Sequence, residues 1–569
     1  MSESKKLFYV CAIGPVQDFI ATARTSHDLW FGSWMLSELC KAAAKAISDQ
    51  SHQLIFPAPE KERDLDAGST LNIANKIVAI VEGDPNAVAD YVWQAVQDRR
   101  EQLCQETFER VKGRLDKELA EEQIADLVEF YWVSTPYTDQ PGYEKVRAQA
   151  EALLAARKNT RNFRQVNGRE GTPKSSLDGF RESVFLDSSG SMGEDTFCAA
   201  YRAEPGEALS GIDLLKRWGE IKARSFPSTT DVAAMPFLMM IGEERKQDIL
   251  HRIRALLKTY TDRSETDGTC FYEERLAQLI PDKAGRGEFR RQFAEIFREE
   301  GIHQHPSPYY TLLLADGDNM GKTIDAQDSP EKHRTLSQRL SAFASTACQM
   351  IEGYGGAPIY VGGDDVLAYL PLHAAIQCVA DLNDEFNRAM QGFSFSDDKG
   401  QRSPTLSGAL VIAHHLTPLG EVLETARRAE KKAKGISGKN GLVIVSSKRG
   451  GADRPAGAKV SDLAERMQVL IGYVRQKQIS AGTAYELEKL HQQLSESGLP
   501  AEAFQREAIR IIQRKREAGG GREVQEDVRQ EFKQWFRDKA LTLDELAQEM
   551  IIAGEFAGAC EMAEKETQA

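Results

Sequence analysis

Two short acidic segments carry the residue types and spacing that could do chemistry. The first, DGDNMGK at residues 316–322, follows an apolar run, and the second, GGDD at residues 362–365, joins two more. Short apolar runs predict β-strands, and a Gly-Gly-Asp-Asp junction is typical of a tight hairpin. In a β-α-β-β unit the first strand and the hairpin are neighbours, so Asp316 and Asp364 would converge at one edge of the sheet.

Carboxylates brought together in this way favour a divalent metal site. Oxygen ligands suit Mg²⁺ or Mn²⁺, and two such ions could activate a ribose hydroxyl while neutralising the phosphates of ATP. We therefore expect nucleotidyl transfer, with Asp316 and Asp364 as catalytic metal ligands. Asp365 would be a second ligand or would orient Asp364, and Gly317 belongs to the candidate metal site.

Glycines and lysines around these segments are candidates for holding the nucleotide. Glycine lets the backbone approach a ligand closely, and free N–H groups at a helix start could hold a triphosphate. A lone GGDD would more often be only a turn with solvated lysines nearby, but the combination favours a site. The candidate nucleotide-binding residues are Gly317, Asp318, Asn319, Met320, Gly321, Lys322, Gly362, Gly363, Ser407, Gly408, Lys434 and Lys439.

The elements that must position these residues form a β-α-β-β-α-β series. Apolar runs predict strands at 309–315, 357–361, 365–370, 406–413 and 441–446, with helices near 331–352, 372–390 and 418–434. The same order occurs earlier, with strands at 7–13, 53–58, 75–83 and 129–134 and helices over 18–47 and 86–127. Both series predict a ferredoxin-like or palm topology.

The fold class expected from this pattern is α+β, with two ferredoxin-like palm domains and two helical domains. Residues 138–205 are polar and turn-rich, whereas 206–300 and the chain after a Gly- and Arg-containing link at 449–458 show helical spacing. The expected parts are a first palm (1–137), an inserted lobe (138–205), a helical domain (206–300), a second, catalytic palm (301–450) and a C-terminal helical bundle (451–569).

Composition narrows the class of protein. A net charge of −14 over 569 residues argues against a protein that coats nucleic acid with its whole surface. No stretch approaches the ~20 apolar residues that a bilayer span needs, so we expect a cytoplasmic protein. The eight cysteines are scattered without CxxC pairs, which predicts buried reduced thiols. The pairs His27-Asp28 and His414-His415 lack further ligands and are expected to be structural.

The acidic segments together resemble a nucleotide-cyclase or polymerase palm, the class that includes the GGDEF cyclases. The N-terminal run IGPVQDFIATARTSHDLWFGSWMLSELCK narrows the resemblance to the Cas-ten family, the large subunits (Cmr subunit two) of type III-B, Cmr-type CRISPR effector complexes. The resemblance continues through ALSGIDLLKRW at 208–218, FPSTTDVA at 226–233, SPYYTLLLADGDNMGK at 307–322 and GGDDVLAYLPL at 362–372.

The resemblance implies two facing palms, of which the second joins ATP molecules into a cyclic oligoadenylate when an antiviral complex captures target RNA. The family's metal positions map onto Asp316, Asp364 and Asp365. Other CRISPR effector subunits, guide RNA and target RNA are the implied partners, and no membrane is implied. Many relatives carry an N-terminal HD nuclease domain, whereas here a palm-like strand begins at Leu7, so nuclease activity is not expected.

Two further points follow from comparing the chain with this family. Lys174–Gly179 resembles a zinc knuckle in which Ser175 and Asp178 replace both cysteines, so we expect no zinc there. The first palm lacks an acidic hairpin and is expected to contribute an acceptor-nucleotide pocket, with Asn72, Asn75 and Lys76 as weak candidates. An asparagine before a strand is more commonly only turn chemistry.

Two alternative functions remain at this point. A catalytically silent scaffold would bridge subunits and position RNA, but its GGDD acids would be expected to be replaced, and they are intact. A free-standing GGDEF-like cyclase would fit one palm, but it would leave the two-palm organisation and the long helical C-terminal region without a purpose. The product's ring size, its linkage and the adenylyl acceptor cannot be derived from the sequence.

Overall fold

A computed structural model describes residues 5–16, 19–20, 22–138, 142–160, 171–221, 226–261, 267–280, 282–495, 500–514, 524–537 and 541–564. Part of the polar lobe, 161–170, and most of the Gly-rich segment expected at 517–525 lie outside these residues. Among the described residues, none of the helices combines the length and the apolar character that crossing a bilayer requires.

The first sheet has the predicted ferredoxin-like order. Its strands are β1 (Lys6–Gly14), β2 (Gln53–Phe56), β3 (Lys76–Glu82) and β4 (Glu129–Pro136). They lie in the order β2-β3-β1-β4, and each neighbouring pair is antiparallel. The interior of β1 is fully buried because helices cover both faces of this sheet.

The helices around this sheet differ in two places from the sequence expectation. They are α1 (Ser26–Asp49), α2 (Pro85–Phe108), α3 (Lys117–Leu127) and α4 (Tyr143–Asn159). Residues 19 and 20 of the helix predicted from residue 18 are helical, and a separate helix begins at Ser26, where Thr25 and Asp28 form a capping box. The single helix predicted over 86–127 is two helices, and Asp116 caps the second by accepting from Leu119 N at 3.0 Å.

Helix α4 is a further difference beyond these two, since residues 138–205 were expected to form a turn-rich lobe. It packs against β1 and β4. Its buried residues form one narrow stripe at helical spacing, while the rest of the helix is polar, which is why the composition suggested a loop. The stripe consists of Tyr143, Val146, Arg147, Ala150 and Leu154.

The described residues between 189 and 299 are mostly helical, as expected for 206–300. Its helices are α5 (Ser189–Met192), α6 (Glu194–Tyr201), α7 (Gly211–Trp218), α8 (Thr229–Ile241), α9 (Glu243–Leu257), α10 (Leu276–Leu279) and α11 (Lys283–Glu299). Helices α8 to α11 surround a separate apolar cluster that includes Phe237, Ile253 and Phe289.

The second sheet repeats the topology of the first and extends it. Its order is β12-β11-β10-β5-β7-β6, so the four strands β10-β5-β7-β6 match the order of the first sheet. The strands are β5 (Tyr309–Asp318), β6 (Ala357–Gly362), β7 (Asp365–Leu370), β10 (Thr405–His414), β11 (Gly441–Ser447) and β12 (Arg454–Lys459), with a hairpin of β8 (Phe395–Asp397) and β9 (Gly400–Arg402).

Two features of this sheet were not predicted. The β8–β9 hairpin is too short and polar to show an apolar pattern. Strand β12 lies where a link and a helical bundle were expected, and it pairs antiparallel with β11. Its backbone bonds form although only Ala456 of the strand is buried, so alternation of apolar residues could not indicate it.

Helices of the second half cover this sheet and complete the chain. They are α12 (Met320–Asp325), α13 (Pro330–Gly353), α14 (Ala375–Ala389), α15 (Leu419–Gly435), α16 (Val460–Arg475), α17 (Ala481–Leu494), α18 (Ala501–Arg514), α19 (Glu526–Arg537) and α20 (Leu543–Glu564). Helix α20 packs on α16 and α17, and the buried pair Arg466 and Glu549 (2.7 Å) lies within this C-terminal group.

One continuous apolar cluster joins the two sheets. It contains Tyr9 and Ile13 of the first sheet, Leu39 of α1, and Leu312 and Val411 of the second sheet. The mixed α/β architecture with two palm-like sheets and helical parts therefore agrees with the predicted fold class. The sheets are fixed relative to each other, and residues on both can form one site.

Candidate active site at the acidic hairpin

Asp316 and Gly317 lie near the end of β5, beside the acidic hairpin. A Cβ added to Gly317 would lie 2.7 Å from Asp364 Oδ2 and 2.6 Å from Met320 Cγ, which is closer than real side-chain contacts. Only glycine therefore allows the two segments to touch. The structure brings the turn of 316–319 against the hairpin, as the strand order predicted.

The hairpin joins β6 to β7 through a two-residue turn. Gly362 pairs with Asp365, and Gly363 has a φ of +70°, a conformation that glycine adopts without cost. A Cβ at Gly362 would lie 2.3 Å from the Tyr360 hydroxyl, so this position also requires glycine. The two glycines place Asp364 and Asp365 at the tip.

The carboxyl groups at this tip are electrostatically coupled. Burial first, and then repulsion from Asp316, raises the pKa of Asp364. Burial, and then repulsion from Asp364 and Asp316, raises the pKa of Asp365, which is close enough to Asp316 to share a hydrogen bond. Asp364 is half-buried whereas solvent reaches the Asp365 side chain. For Asp365 we therefore give repulsion more weight than burial.

Lys434, at the C-terminal end of α15, supplies the positive charge of the site. Its ammonium donates to the Asp316 carboxylate and lies 2.8 Å from Glu430 Oε1. Burial lowers the pKa of Lys434, but the hydrogen bonds and charges of these two acids raise it by more. The side chain is therefore positively charged. Lys434 also lowers the pKa of both hairpin carboxyls.

Asp318 and Ser407, both predicted to bind nucleotide, are instead buried among protein donors. Asp318 Oδ2 accepts from Ser407 Oγ at 2.6 Å, Thr405 Oγ1 at 2.8 Å and Asn440 N at 3.0 Å. Both residues are fully buried. Their physical role is to hold β5, β10 and the turn before β11 together. The prediction that they contact nucleotide has no support from this geometry.

The remaining nucleotide candidates are spread around the turn. Asn319 has a φ of +62° and precedes α12, and Met320 is buried. Gly321 and Lys322 are exposed, and Lys322 lies 5.6 Å from the Phe395 ring. Gly408 packs against Ala315, as a Cβ there would lie 3.1 Å away, while Lys439 Nζ is 3.9 Å from Asp318 Oδ1.

The three candidates of the first sheet have different surroundings. Asn75 donates to Ile13 O at 3.1 Å, and Lys76 pairs with Glu151 at 2.6 Å, so both are structural. Asn72 lines a cavity of about 510 Å³ between the two halves. Its lining includes Trp30, Ser33, Trp34, Asn72, Ser345, Thr346, Gln349, Ile359 and Val361.

The segments His27-Asp28 and His414-His415, which were expected to be structural, make contacts within the protein. Asp28 is buried and accepts two bonds from Arg217, at 2.7 and 3.0 Å, and the His27 ring nitrogen lies 3.0 Å from Lys216 O. His414 Nδ1 accepts from the Leu416 backbone at 3.1 Å. His27 and Asp28 therefore tie α1 to α7, and His414 supports the local backbone. Five cysteines are buried thiols, namely Cys11, Cys40, Cys104, Cys270 and Cys378.

In the segment resembling a knuckle, Ser175 and Asp178 organise the turn by hydrogen bonds. Ser175 Oγ donates to Asp213 at 2.7 Å and accepts from the Asp178 backbone at 3.2 Å. Asp178 Oδ1 accepts from the backbones of Phe180 and Arg181, both at 3.0 Å. These bonds tie the turn to α7 through protein groups.

The donor chemistry at the hairpin fits a divalent ion that also binds a substrate. Over the described ranges, no three Asp, Glu, His or Cys side chains lie together in a way that could hold a metal unaided. Mg²⁺ commonly binds through one or two carboxylates and completes its shell with water and substrate phosphates. Asp316, Asp364 and Asp365 offer such oxygens, and the raised pKa values of the two hairpin carboxyls indicate negative charge that lacks a sufficient counter-charge.

Two side chains that shape the candidate site were not predicted from the sequence. Glu430 holds Lys434 one helical turn away, a spacing that the sequence did contain. The Tyr360 hydroxyl lies near the hairpin, where burial first, and then the charges of Asp365 and Asp364, raise its pKa. Its position depends on a β-bulge between Pro358 and Tyr360, which a strand pattern does not reveal.

Known protein families match parts of the first palm-like sheet and of the second. The family described as "Cas10/Cmr2, second palm domain" matches residues 309–443, and "CRISPR-associated protein Cmr2, N-terminal" matches residues 8–109. The "CRISPR system Cmr subunit Cmr2" of Pyrococcus furiosus is 24% identical over 539 residues, covering 77% of this chain and 61% of that protein. The chain thus spans about three-fifths of that relative.

Solved structures share the fold. The type III-B Cmr-beta complex in its apo state contains a chain that matches with a TM-score of 0.63 at 15% identity, covering 92% of this chain and 79% of that chain. The same complex bound to cognate target RNA matches with a TM-score of 0.60 at 15% identity, covering 92% and 80%. Residues 8–109 therefore match the Cmr2 N-terminal family, and residues 309–443, which include the acidic hairpin, match the Cas10/Cmr2 second-palm family, in agreement with the predicted resemblance to the large subunits of type III-B CRISPR systems.

Proposed function

We propose that this chain is the ATP nucleotidyltransferase of a type III CRISPR effector complex, activated by target RNA and making a cyclic oligoadenylate or a related adenylyl product. One observation carries the proposal. Asp316, Asp364 and Asp365 are electrostatically coupled where β5 ends beside the hairpin, next to Lys434, and Gly317 leaves room for the contact with Asp364. A scaffold would have no need for this coupled set of charges.

Each side chain has a role that follows from its position. Asp316, Asp364 and Asp365, with the backbone of Gly317, would hold Mg²⁺ or Mn²⁺. When bound, such ions neutralise phosphate charge and make a ribose hydroxyl a better nucleophile. Lys434 is near enough to exchange its Asp316 partner for a triphosphate oxygen. Asp365 is the second hairpin ligand, since its carboxyl is coupled to those of Asp364 and Asp316.

The inter-domain cavity is suited to the adenosine part of an acceptor. Its volume of about 510 Å³ lies within the range of small-ligand pockets. Trp30 and Trp34 offer aromatic faces, and Asn72 and Gln349 offer amides, while Asp64 and Glu352 disfavour phosphate there. The cavity borders β6, the strand that leads into the hairpin. In this arrangement the first palm contributes recognition and the second contributes chemistry.

The proposal extends to the assembly. The Cmr-beta chain that this fold resembles was solved in a complex bound to cognate target RNA. We infer that this chain likewise works with other effector subunits, guide RNA and target RNA in the cytoplasm. The division into residues 1–137, 138–205, 206–300, 301–450 and 451–569 is proposed as its domain plan.

The test is ATP conversion by the assembled complex with Mg²⁺ or Mn²⁺, with and without cognate target RNA, followed by mass spectrometry of the products. Asp364→Asn with Asp365→Asn keeps side-chain size and removes charge, and Asp384→Asn is a matched control at an exposed aspartate. We expect RNA-dependent adenylyl products from the wild type and the control, and none from the double variant. Conversion by the isolated chain without RNA would favour a free-standing cyclase, and no conversion by any variant would favour a scaffold.

A further inference from the structure

Arg147 reaches from the first half of the molecule to the helix that follows the acidic turn of the second. It lies on α4, which packs on the first sheet, yet its guanidinium contacts the C-terminal end of α12. The side chain is only 2% exposed. A buried arginine so far from its own sheet's core requires an explanation.

The guanidinium binds backbone carbonyls at and just after the C-terminal end of α12. It donates to Ile324 O, to Gln327 O at 3.4 Å, to Asp325 O at 3.0 Å and to the Asp325 carboxylate at 3.0 Å. The last carbonyls of a helix lack intrahelical donors and carry partial negative charge. Arg147 therefore caps α12 from another part of the fold.

Helix α12 depends on such support because it is short. It has six residues, too few for a helix to be stable by itself. At its other end Thr323 donates to Asn319 O through its backbone (2.9 Å) and its hydroxyl (3.1 Å). Asn319 directly follows Asp318, the last residue of the strand β5 that carries Asp316. The helix, roughly 9 Å long at 1.5 Å per residue, thus connects the Arg147 contact to the candidate metal ligands.

Arg147 is not required merely to dock the two halves. Other bonds cross the same boundary without touching α12: the Ala58 backbone donates to Ser337 Oγ at 2.9 Å, and the Tyr143 hydroxyl and His333 Nδ1 lie 2.7 Å apart. Arg147 also carries a cost, since its Nε has no hydrogen-bond partner among the described residues and its carboxylate partner Asp325 is largely exposed. Removing the Arg147 charge from water costs free energy, and an ion pair with one exposed carboxylate offsets little of that cost.

We propose that Arg147 is a positioning residue. Through Arg147 and α12, the first sheet holds residues 316–319, at the end of β5, next to the hairpin. Arg147 touches neither nucleotide nor metal and acts through α12. The proposal has a catalytic part, which rests on the proposed function because only an active site makes the exact placement of Asp316 matter. It also has a structural part, that α12 and residues 316–319 lose order without Arg147, and this part is independent of the proposed function.

The test compares Arg147→Met, Arg147→Lys and Ser337→Ala in the full chain and in the assembled complex. Ser337→Ala is the matched control because it removes a bond across the same boundary that does not involve α12. In Arg147→Met we expect amide hydrogen exchange over 319–327 to become at least about tenfold faster, with the hairpin strands 357–370 unchanged. The kcat for ATP conversion should fall about 10- to 100-fold with little change in KM, and Arg147→Lys should recover part of both.

Three results would overturn the proposal. Unchanged exchange over 319–327 in Arg147→Met would remove its structural part. Equal effects of Ser337→Ala and Arg147→Met on exchange and kcat would show a general docking role instead. If the wild-type complex converts no ATP, the proposed function fails and the catalytic part falls with it, while hydrogen exchange still decides the structural part.

Discussion

The α-carbon of Gly317 lies against the carboxylate of Asp364 so closely that no side chain fits between them. An added Cβ would meet Asp364 Oδ2 and Asp364 Cβ at 2.7 Å. The backbone of the strand that carries Asp316 therefore contacts the Asp364 side chain of the hairpin directly. This contact sets the spacing on which the proposed chemistry depends.

Gly317→Ala should separate the two segments without unfolding the protein. A shift of about 1 Å at a reacting centre can cost about 100-fold in rate, and we expect ATP conversion to fall by about that factor. Gly420→Ala is the control, because Gly420 is exposed in the same domain and a Cβ there meets nothing within 4 Å. Steady-state rates of the two complexes check this. Equal rates for both variants would show that the close approach has no catalytic importance.

Lys434→Met removes the cation that bonds Asp316. If Lys434 also holds the triphosphate, the loss of a charge-assisted bond should raise KM for ATP about tenfold or more. Lys432→Met is the control, since Lys432 is exposed on the same helix. Initial rates over a range of ATP concentrations separate KM from kcat. A KM that is the same in both variants would rule out a triphosphate contact.

Asp318→Ala should weaken the fold rather than the chemistry. Three donors would lose the one carboxylate oxygen that they share, and we expect the free energy of unfolding to fall by about 3 kcal/mol. Asp398→Ala, at an exposed position of the same domain, should change it by less than about 0.5 kcal/mol. Urea unfolding measures both. A similar cost for the two variants would contradict the structural role assigned to Asp318.

The raised pKa values of Asp364 and Asp365 predict a pH dependence of stability without metal. Because folding favours the protonated carboxyls, their contribution is present below the unfolded pKa of ~3.9 and is lost as pH rises through the raised folded values. The double variant Asp364→Asn/Asp365→Asn has no such charges. We therefore expect its stability advantage over the wild type to grow from acidic to neutral pH.

Urea unfolding from pH 4 to pH 8 with a chelator present measures this difference. Adding Mg²⁺ should reduce it, since the ion stabilises only the wild type. An advantage that does not vary with pH would contradict the electrostatic coupling of the site. ATP conversion by the wild-type complex should rise over the same range as protons cease to compete with the metal.

Much of this arrangement could be predicted from the sequence because it depends on strong local patterns. Apolar strands next to Gly-rich turns placed β5 and the β6–β7 hairpin within a few residues of their observed ends. The topology then brought Asp316 to the hairpin. The same reasoning gave Asp316 a metal role and Asp318 a nucleotide role, but it could not show that Asp318 is buried, because the donors to Asp318 lie on β10 and at Asn440.

Long-range contacts explain most of what the sequence did not show. Arginine is usually exposed, so nothing indicated that Arg147 is buried or that α4 packs on the first sheet. Its partners are backbone carbonyls about 180 positions later, which have no sequence signature. Strand β12 was missed for a similar reason, because its existence depends on pairing with β11 rather than on its own composition.

The apolar cluster shared by the two sheets has a consequence for dissecting the protein. Tyr9, Leu39, Leu312 and Val411 belong to one buried cluster although they come from opposite ends of the chain's first 450 residues. A fragment of either half would expose its part of that cluster to water. The halves should therefore be studied by co-expression as complementary fragments, with recovery of a single melting transition as the sign of correct reassembly.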